Sequence, residues 1–196
     1  MKPGASNTVP VWDRVIRTLH WALVVSVALA GVSLIDSLGV AALHRPAGYA
    51  ALAIVALRVL WGVAGSANAR FTQFVRGPRP TLHYLRLLIA RREPHLLGHN
   101  PLGAWMVLAL LLCVAGLGLT GWLYTTDWFW GSERVEDLHR ALAWALLGLI
   151  VLHVAGVIFT SLRQRENLIA AMFSGRKRAR ANAHPNADAN TDTRAQ

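Results

Sequence analysis

The chain has 196 residues, 54% of them hydrophobic, a mean hydropathy of +0.37 and a formal net charge of +10. That hydropathy argues against an ordinary soluble globule and suits one compact membrane domain. A single cysteine, Cys113, excludes an intramolecular disulfide and any cysteine-rich metal or iron–sulfur site.

In chain order, residues 1–10 read as a flexible lead-in and 11–178 as the folded domain. Trp12 to Leu19 make an amphipathic approach to the first apolar segment, 18–35; further apolar segments cover 46–65, 101–122 and 141–161. Each is near or above the ~18 residues that mark a spanning helix. The first is not a cleavable signal, because charged residues precede it and no small-residue cleavage pattern follows. The expected fold is therefore all-α, an integral membrane four-helix bundle. Between the second and third segments, TLHYLRLLIARR sets apolar residues at helical spacing beside basic ones, the pattern of an interfacial helix. The connection YTTDWFWGSERVED is rich in tryptophan, and seven of the eight tryptophans fall near predicted interfaces, where amphipathic rings prefer to sit. Trp144 is deeper and is expected to pack inside the bundle. Residues 179–196 are polar and Ala/Asn-rich, the composition of a disordered tail, and His184 within it is no ligand.

The positive charge is distributed unevenly. Lys2, Arg14 and Arg17 precede the first segment; Arg70, Arg76, Arg79, Arg86, Arg91 and Arg92 crowd the middle connection; Arg163, Arg165, Arg176, Lys177, Arg178 and Arg180 follow the last segment. The other two connections hold Asp36, Asp127, Glu133, Glu136 and Asp137 against Arg45, Arg134 and Arg140. The positive-inside rule places both termini and the middle connection in the cytoplasm. The basic clusters then fix orientation and touch the anionic headgroups of the bilayer, and nucleic acid is set aside as a partner.

Histidine carries the chemistry. His139 and His153 lie fourteen residues apart in the last segment, which has no charged side chain between residues 141 and 162. Fourteen residues are about four turns, so both imidazoles project from nearly one face, separated by roughly 21 Å along the axis. Polar groups at such depths are expensive to keep for packing alone. His20 lies in the inner third of the first segment, and His44 opens the second at its outer face. Antiparallel topology matches His20 with His153 and His44 with His139 in depth. Two imidazoles clamping one planar group is how a helical bundle holds a haem, so two pairs imply two haems. Taken singly, each histidine reads as readily as a packing or interfacial residue; the matched pairs are what favour ligation. His99 is a spare ligand candidate better suited to a cap or quinone-site role, and His83 and His95 read as solvated or at the lipid surface. Gly48 and Gly156, one turn from His44 and His153, leave room for a flat macrocycle or for close helix contact. Arg58, the one basic residue within a segment, falls on the face of His44 towards the inner side. A haem propionate would satisfy it through a bidentate pair, and snorkelling to the cytoplasmic interface would do so equally well.

At these residues the sequence resembles the bacterial cytochrome b561 family, which includes the cytochrome b subunits of nickel–iron hydrogenases. The matching stretches are VWDRVIRTLHW around His20, LHRPAGY and RVLWG from His44 to Gly62, GHNPLGAW from Gly98, LHRALAWALLGLIVLH ending at His153, and the tail RENLIAAMFSGRKR. The likeness spans about residues 11–178. It implies a four-helix bundle with two b-type haems, axial ligand roles for His20, His44, His139 and His153, and electron exchange with a membrane quinone such as ubiquinone. It also implies the bacterial inner membrane, with a periplasmic cytochrome c or dehydrogenase subunit as redox partner. Some short relatives oxidise superoxide and pass the electron to quinone; Arg45, Arg134 and Arg140 would attract that anion. A transition-metal transporter ranks last, because the histidines lack intramembrane carboxylates beside them.

Reporter fusions after Arg92 and after Arg178 are expected to read cytoplasmic, and a fusion within 127–136 external. The opposite pattern would exchange the two faces and leave the depth pairing of the histidines intact.

Overall fold

The computed structural model describes residues 8–35, 40–66, 69–92 and 100–178. Asp36, His95, His99, His184 and the expected tail at 179–196 lie outside them. Helix α1 (Arg14–Val32) starts where Asp13 Oδ1 accepts the Ile16 N–H at 2.7 Å, the bond that satisfies an orphan donor of the first turn. A single 3₁₀ turn at Ala41–Leu43 leads into α2 (His44–Ala64). Two shorter helices follow, α3 (Phe71–Phe74) and α4 (Pro78–Ile89). Helix α5 (Pro101–Leu123) opens with proline in its first turn and Asn100 Oδ1 accepting from the Gly103 N–H at 2.6 Å. Helix α6 (Glu133–Gln164) is followed by α7 (Leu168–Ser174). Strands β1 (Thr8–Pro10) and β2 (Arg176–Arg178) pair antiparallel, with Thr8 opposite Arg178.

Helices α1, α2 with its leading turn, α5 and α6 are the four long and apolar enough to cross a membrane. The chain is a four-helix membrane bundle, as the apolar segments predict. Its surface is apolar in the way lipid requires: Leu112 is 72% exposed and Val63 70%. Helix α1 packs on α2, α2 on α5 and α5 on α6, while α6 has no comparable packing on α1 or α2. The core lies midway along the bundle, where Ala51 and Val55 of α2 meet Leu111, Cys113 and Val114 of α5 and Leu146 of α6. Close approach depends on glycine. A Cβ on Gly118 would stand 2.8 Å from Cβ of Leu52, and one on Gly116 would stand 3.1 Å from Leu142 Cδ1.

Helix α6 begins eight residues before its apolar segment, because the polar stretch Glu133–Arg140 continues the helix. Glu133 and Glu136 sit in its first turn, favoured by the helix dipole, and Arg140 bonds Glu136 one turn back at 2.6 Å. Trp144 is 69% exposed, contrary to the expected interior position, since it lies on the side of α6 opposite Leu146. The interfacial pattern forms α4, held to the bundle by Tyr84, which is buried, and by Trp105 Nε1 donating to the Arg76 carbonyl and Thr81 Oγ1, both at 3.2 Å. Arg163 donates to the Leu88 carbonyl at 3.2 Å and ties the far end of α4 to α6.

The β1–β2 ribbon brings the two ends of the described chain to one end of the bundle, here called the ribbon end. Gly175, at φ +76°, turns the chain from α7 into β2 and accepts the Val11 N–H at 2.9 Å. Nearby, Asp13 Oδ2 accepts from Trp61 Nε1 at 3.1 Å and from the Ser66 hydroxyl, so one carboxylate joins α1 to the end of α2. Burial raises the Asp13 carboxyl, but these hydrogen bonds, the Ile16 N–H and the Arg58 charge outweigh it and hold it below the ordinary 3.8.

Gly118→Ala is expected to lower stability by about 1–3 kcal/mol through overpacking at the α2–α5 crossing, read as a fall in thermal midpoint in detergent. Asp13→Ala should remove about 1 kcal/mol with the helix cap, and Asp13→Asn less. Because the folded carboxyl is depressed, its contribution is full above about pH 4 and fades as pH falls through the folded value. The gap between wild type and Asp13→Asn should therefore close in acid.

Candidate functional site

Each histidine stands on the inward stripe of its helix. On α6 that stripe runs His139, Leu142, Leu146, Leu149, His153, all buried or half-buried, at intervals of three and four residues. On α1 it runs His20, Leu23, Val27, Ala30, and on α2 His44, Ala47, Ala51, Val55, Arg58, Gly62. The histidines thus fall at the ends of apolar stripes whose centres form the core.

His44 and His139 face each other at the end away from the ribbon. Their ring centroids are 6.2 Å apart with planes inclined by 71°. A metal–imidazole bond is about 2 Å, so a metal held between two opposed rings sets their centroids about 6 Å apart. Both rings are anchored through the same nitrogen. His44 Nδ1 lies 2.9 Å from the Ala30 carbonyl and 3.4 Å from Ser33 Oγ, whose own proton goes to that carbonyl at 2.7 Å. A carbonyl only accepts, so Nδ1 carries the hydrogen and Nε2 presents its lone pair. His139 Nδ1 lies 2.9 Å from Thr120 Oγ1, and Thr120 donates its one proton back to Gly116 at 2.8 Å or Leu117 at 3.1 Å. Thr120 is therefore the acceptor, and His139 also offers Nε2. Ligating histidines are oriented in this way, through a hydrogen bond from the other ring nitrogen. Gly121 presses the His139 ring from α5, where a Cβ would stand 3.3 Å from Cε1.

His20 and His153 come within Coulombic reach of each other towards the ribbon end, on α1 and α6. Trp21 meets His20 in a T-shaped contact, 5.2 Å between ring centroids and 77° between planes. Beside the histidines, Gly48 and Gly156 have no atom within 4 Å of where a Cβ would lie. Arg58 is 7% exposed, with both terminal nitrogens 3.4 Å from the Ala69 carbonyl, its guanidinium over the Phe71 ring at 4.9 Å, and Asp13 as its counter-charge. His83 is exposed on α4. At the other end, Arg45 and Arg134 are exposed, and Arg140 is paired with Glu136 and with Asp137 at 3.3 Å.

The donor set can be tested for fit. Among the described residues no three His, Cys, Asp or Glu side chains gather at one point. Two imidazoles alone do not complete the four or six positions of a bare transition-metal ion; they do complete an iron that brings four nitrogens of its own in a macrocycle. The half-buried pairs and the oriented Nε2 lone pairs of His44 and His139 fit haem. Sequence reasoning did not single out Ala30, Ser33, Thr120 or Gly121 as supports of the histidines. Ser33 and Thr120 were the visible signals, hydroxyls within apolar segments.

A four-span helical bundle with paired intramembrane histidines defines a membrane cytochrome of the b type. The family model of prokaryotic cytochrome b561 matches residues 11–175, and the chain belongs to that family. It is thus a membrane b-type cytochrome whose task is electron transfer. The chain is also similar to a probable Ni/Fe-hydrogenase B-type cytochrome subunit of Bradyrhizobium diazoefficiens, 25% identical over 215 residues, covering 88% of this chain and 87% of that protein.

Proposed function

We propose that this cytochrome carries two b-type haems, one for each histidine pair, and moves electrons between the membrane quinone pool and a redox partner at the outer, periplasmic face of the bacterial inner membrane. The observation that carries the reading is the 6.2 Å approach of His44 and His139, with both Nδ1 atoms committed to protein acceptors. Haem iron supplies the chemistry, a reversible one-electron change between ferric and ferrous. The residues do the rest. His20 with His153, and His44 with His139, would hold the two haems between them, which would favour outer-sphere electron transfer. The apolar stripes between them separate the two sites by about four helical turns and keep water out of the interval. Arg58, already shared with Asp13, sets positive charge at the ribbon end and is assigned to a propionate of the haem there. Both termini are assigned to the cytoplasm on the arginine distribution.

The likeness to a hydrogenase cytochrome subunit supports a membrane-associated redox enzyme, or a cytochrome c serving one, as the partner. Oxidation of superoxide by this chain alone is the weaker reading, because Glu136 and Asp137 offset the charge of Arg140 that would steer the anion.

The purified protein is expected to bind close to two haems per chain by pyridine haemochrome assay, with a low-spin reduced spectrum. His20→Ala and His153→Ala should each remove or convert to high spin the same haem, and His44→Ala and His139→Ala the other. If His20→Ala and His44→Ala removed the same haem, the pairing and the topology beneath it would be wrong.

A further inference from the structure

Two buried side-chain nitrogens stand without a hydrogen-bond partner among the described residues, Arg17 Nε and Trp21 Nε1. Both belong to the segment that carries His20: Arg17 is one turn before it on the same face, and Trp21 is the next residue. Both are fixed by the same neighbour. Arg17 donates through one terminal nitrogen to the Ser174 carbonyl at 3.3 Å and through the other to the Phe173 carbonyl. Trp21 stacks on the Phe173 ring, 4.3 Å between centroids and 21° between planes. The last turn of α7 therefore holds the two side chains in place and leaves one donor of each unsatisfied.

The chemistry of the missing partner follows from these donors. An indole N–H and a guanidinium Nε–H only donate, so the partner is an acceptor, and beside a fixed positive charge it is an anionic one. It reaches the flank of His20, where the ribbon-end haem is proposed, and a haem carries two carboxylates on its rim. We infer that Arg17 and Trp21 together bind one propionate of that haem, Arg17 by charge and hydrogen bond and Trp21 by hydrogen bond alone. Arg58 differs from them, since its terminal nitrogens already face the Ala69 carbonyl and its charge is met by Asp13. The assignment rests on the His20/His153 reading and gives α7 a purpose: it positions the anchor.

The test compares the full-length holoprotein with Trp21→Phe, which keeps the aromatic stack, and with Arg17→Gln and Arg17→Lys. Losing the donors leaves the carboxylate less compensated and favours ferric iron. The midpoint potential of one haem should fall, more for Arg17→Gln than for Trp21→Phe, and that of the other should stay in place. Release of the affected haem to apomyoglobin should quicken about tenfold in Arg17→Gln, the scale of a charge-assisted hydrogen bond, and Arg17→Lys should restore part of it. In protein reconstituted with haem dimethyl ester, which has no carboxylates, the variants should match wild type. Superimposable titrations in Trp21→Phe and Arg17→Lys, equal shifts of both haems, or an undiminished effect with the ester would each overturn the inference. If Arg17→Gln fails to fold, because Arg17 also caps α7, Trp21→Phe and the ester decide alone. Failure of the underlying ligation is seen separately, as a wild type with fewer than two haems or as His20→Ala and His153→Ala removing different ones.

Discussion

Every polar group placed in an apolar slab has to find its partner there, because lipid offers none. In this chain that requirement falls hardest on four imidazoles, each with one nitrogen that must donate and one that must be met. At the end away from the ribbon the donors are dealt with by backbone and hydroxyl: Ala30 and Ser33 for His44, Thr120 with Leu117 nearby for His139. What remains on each ring is the Nε2 lone pair, and the two ring centroids stand 6.2 Å apart between α2 and α6. Packing alone gives no reason for that arrangement. The ligation proposed above does, and glycine contacts hold the two rings close: α6 rests on α5 through Gly116 and Gly121, and α5 rests on α2 through Gly118.

The two ends of the bundle solve different problems. Away from the ribbon, support for the histidines comes from within the spanning helices. At the ribbon end, segments outside them hold the residues that flank His20 in sequence. Asp13 ties α1 to Trp61 and Ser66, and α7 grips Arg17 and Trp21. The charged residues at this end are engaged in specific bonds, with Arg17 on carbonyls of α7, Arg58 on Ala69 and Arg70 on Gly65 at 2.9 Å. Arg17 and Arg70, read from the sequence as orientation charges, thus also close the structure at that end.

The spanning helices were legible because hydropathy and length determine them directly. Their limits were not, because local polar residues set them: the Asp13 cap lets α1 start four residues before its apolar stretch, and the polar turn from Glu133 extends α6 eight residues before its own. Alternation of three and four residues put His139 and His153 on one face, and burial bears that out with Leu142, Leu146 and Leu149 between them. Trp144 faces outward although it is deep in its segment, because depth along a helix says nothing of angular position. The supports of the histidines were invisible for a related reason. A backbone carbonyl such as that of Ala30 has no residue type to reveal it, and Arg17 read as an orientation charge until its contact with α7, 156 residues away in sequence, was seen.

That long-range contact has a bearing on biosynthesis. Helices α1 and α2 can associate as soon as both have left the ribosome, and α5 can join them, because each packs on a neighbour in sequence or on one already made. The grip on Arg17 and Trp21 cannot form until Ser174 has been synthesised, and strand β1 waits for β2. The first spanning helix is secured by residues that follow the last one. Nascent chains that stop before residue 173 would lack the grip of α7 on Arg17 and Trp21, so synthesis of α7 completes the anchoring of the first helix.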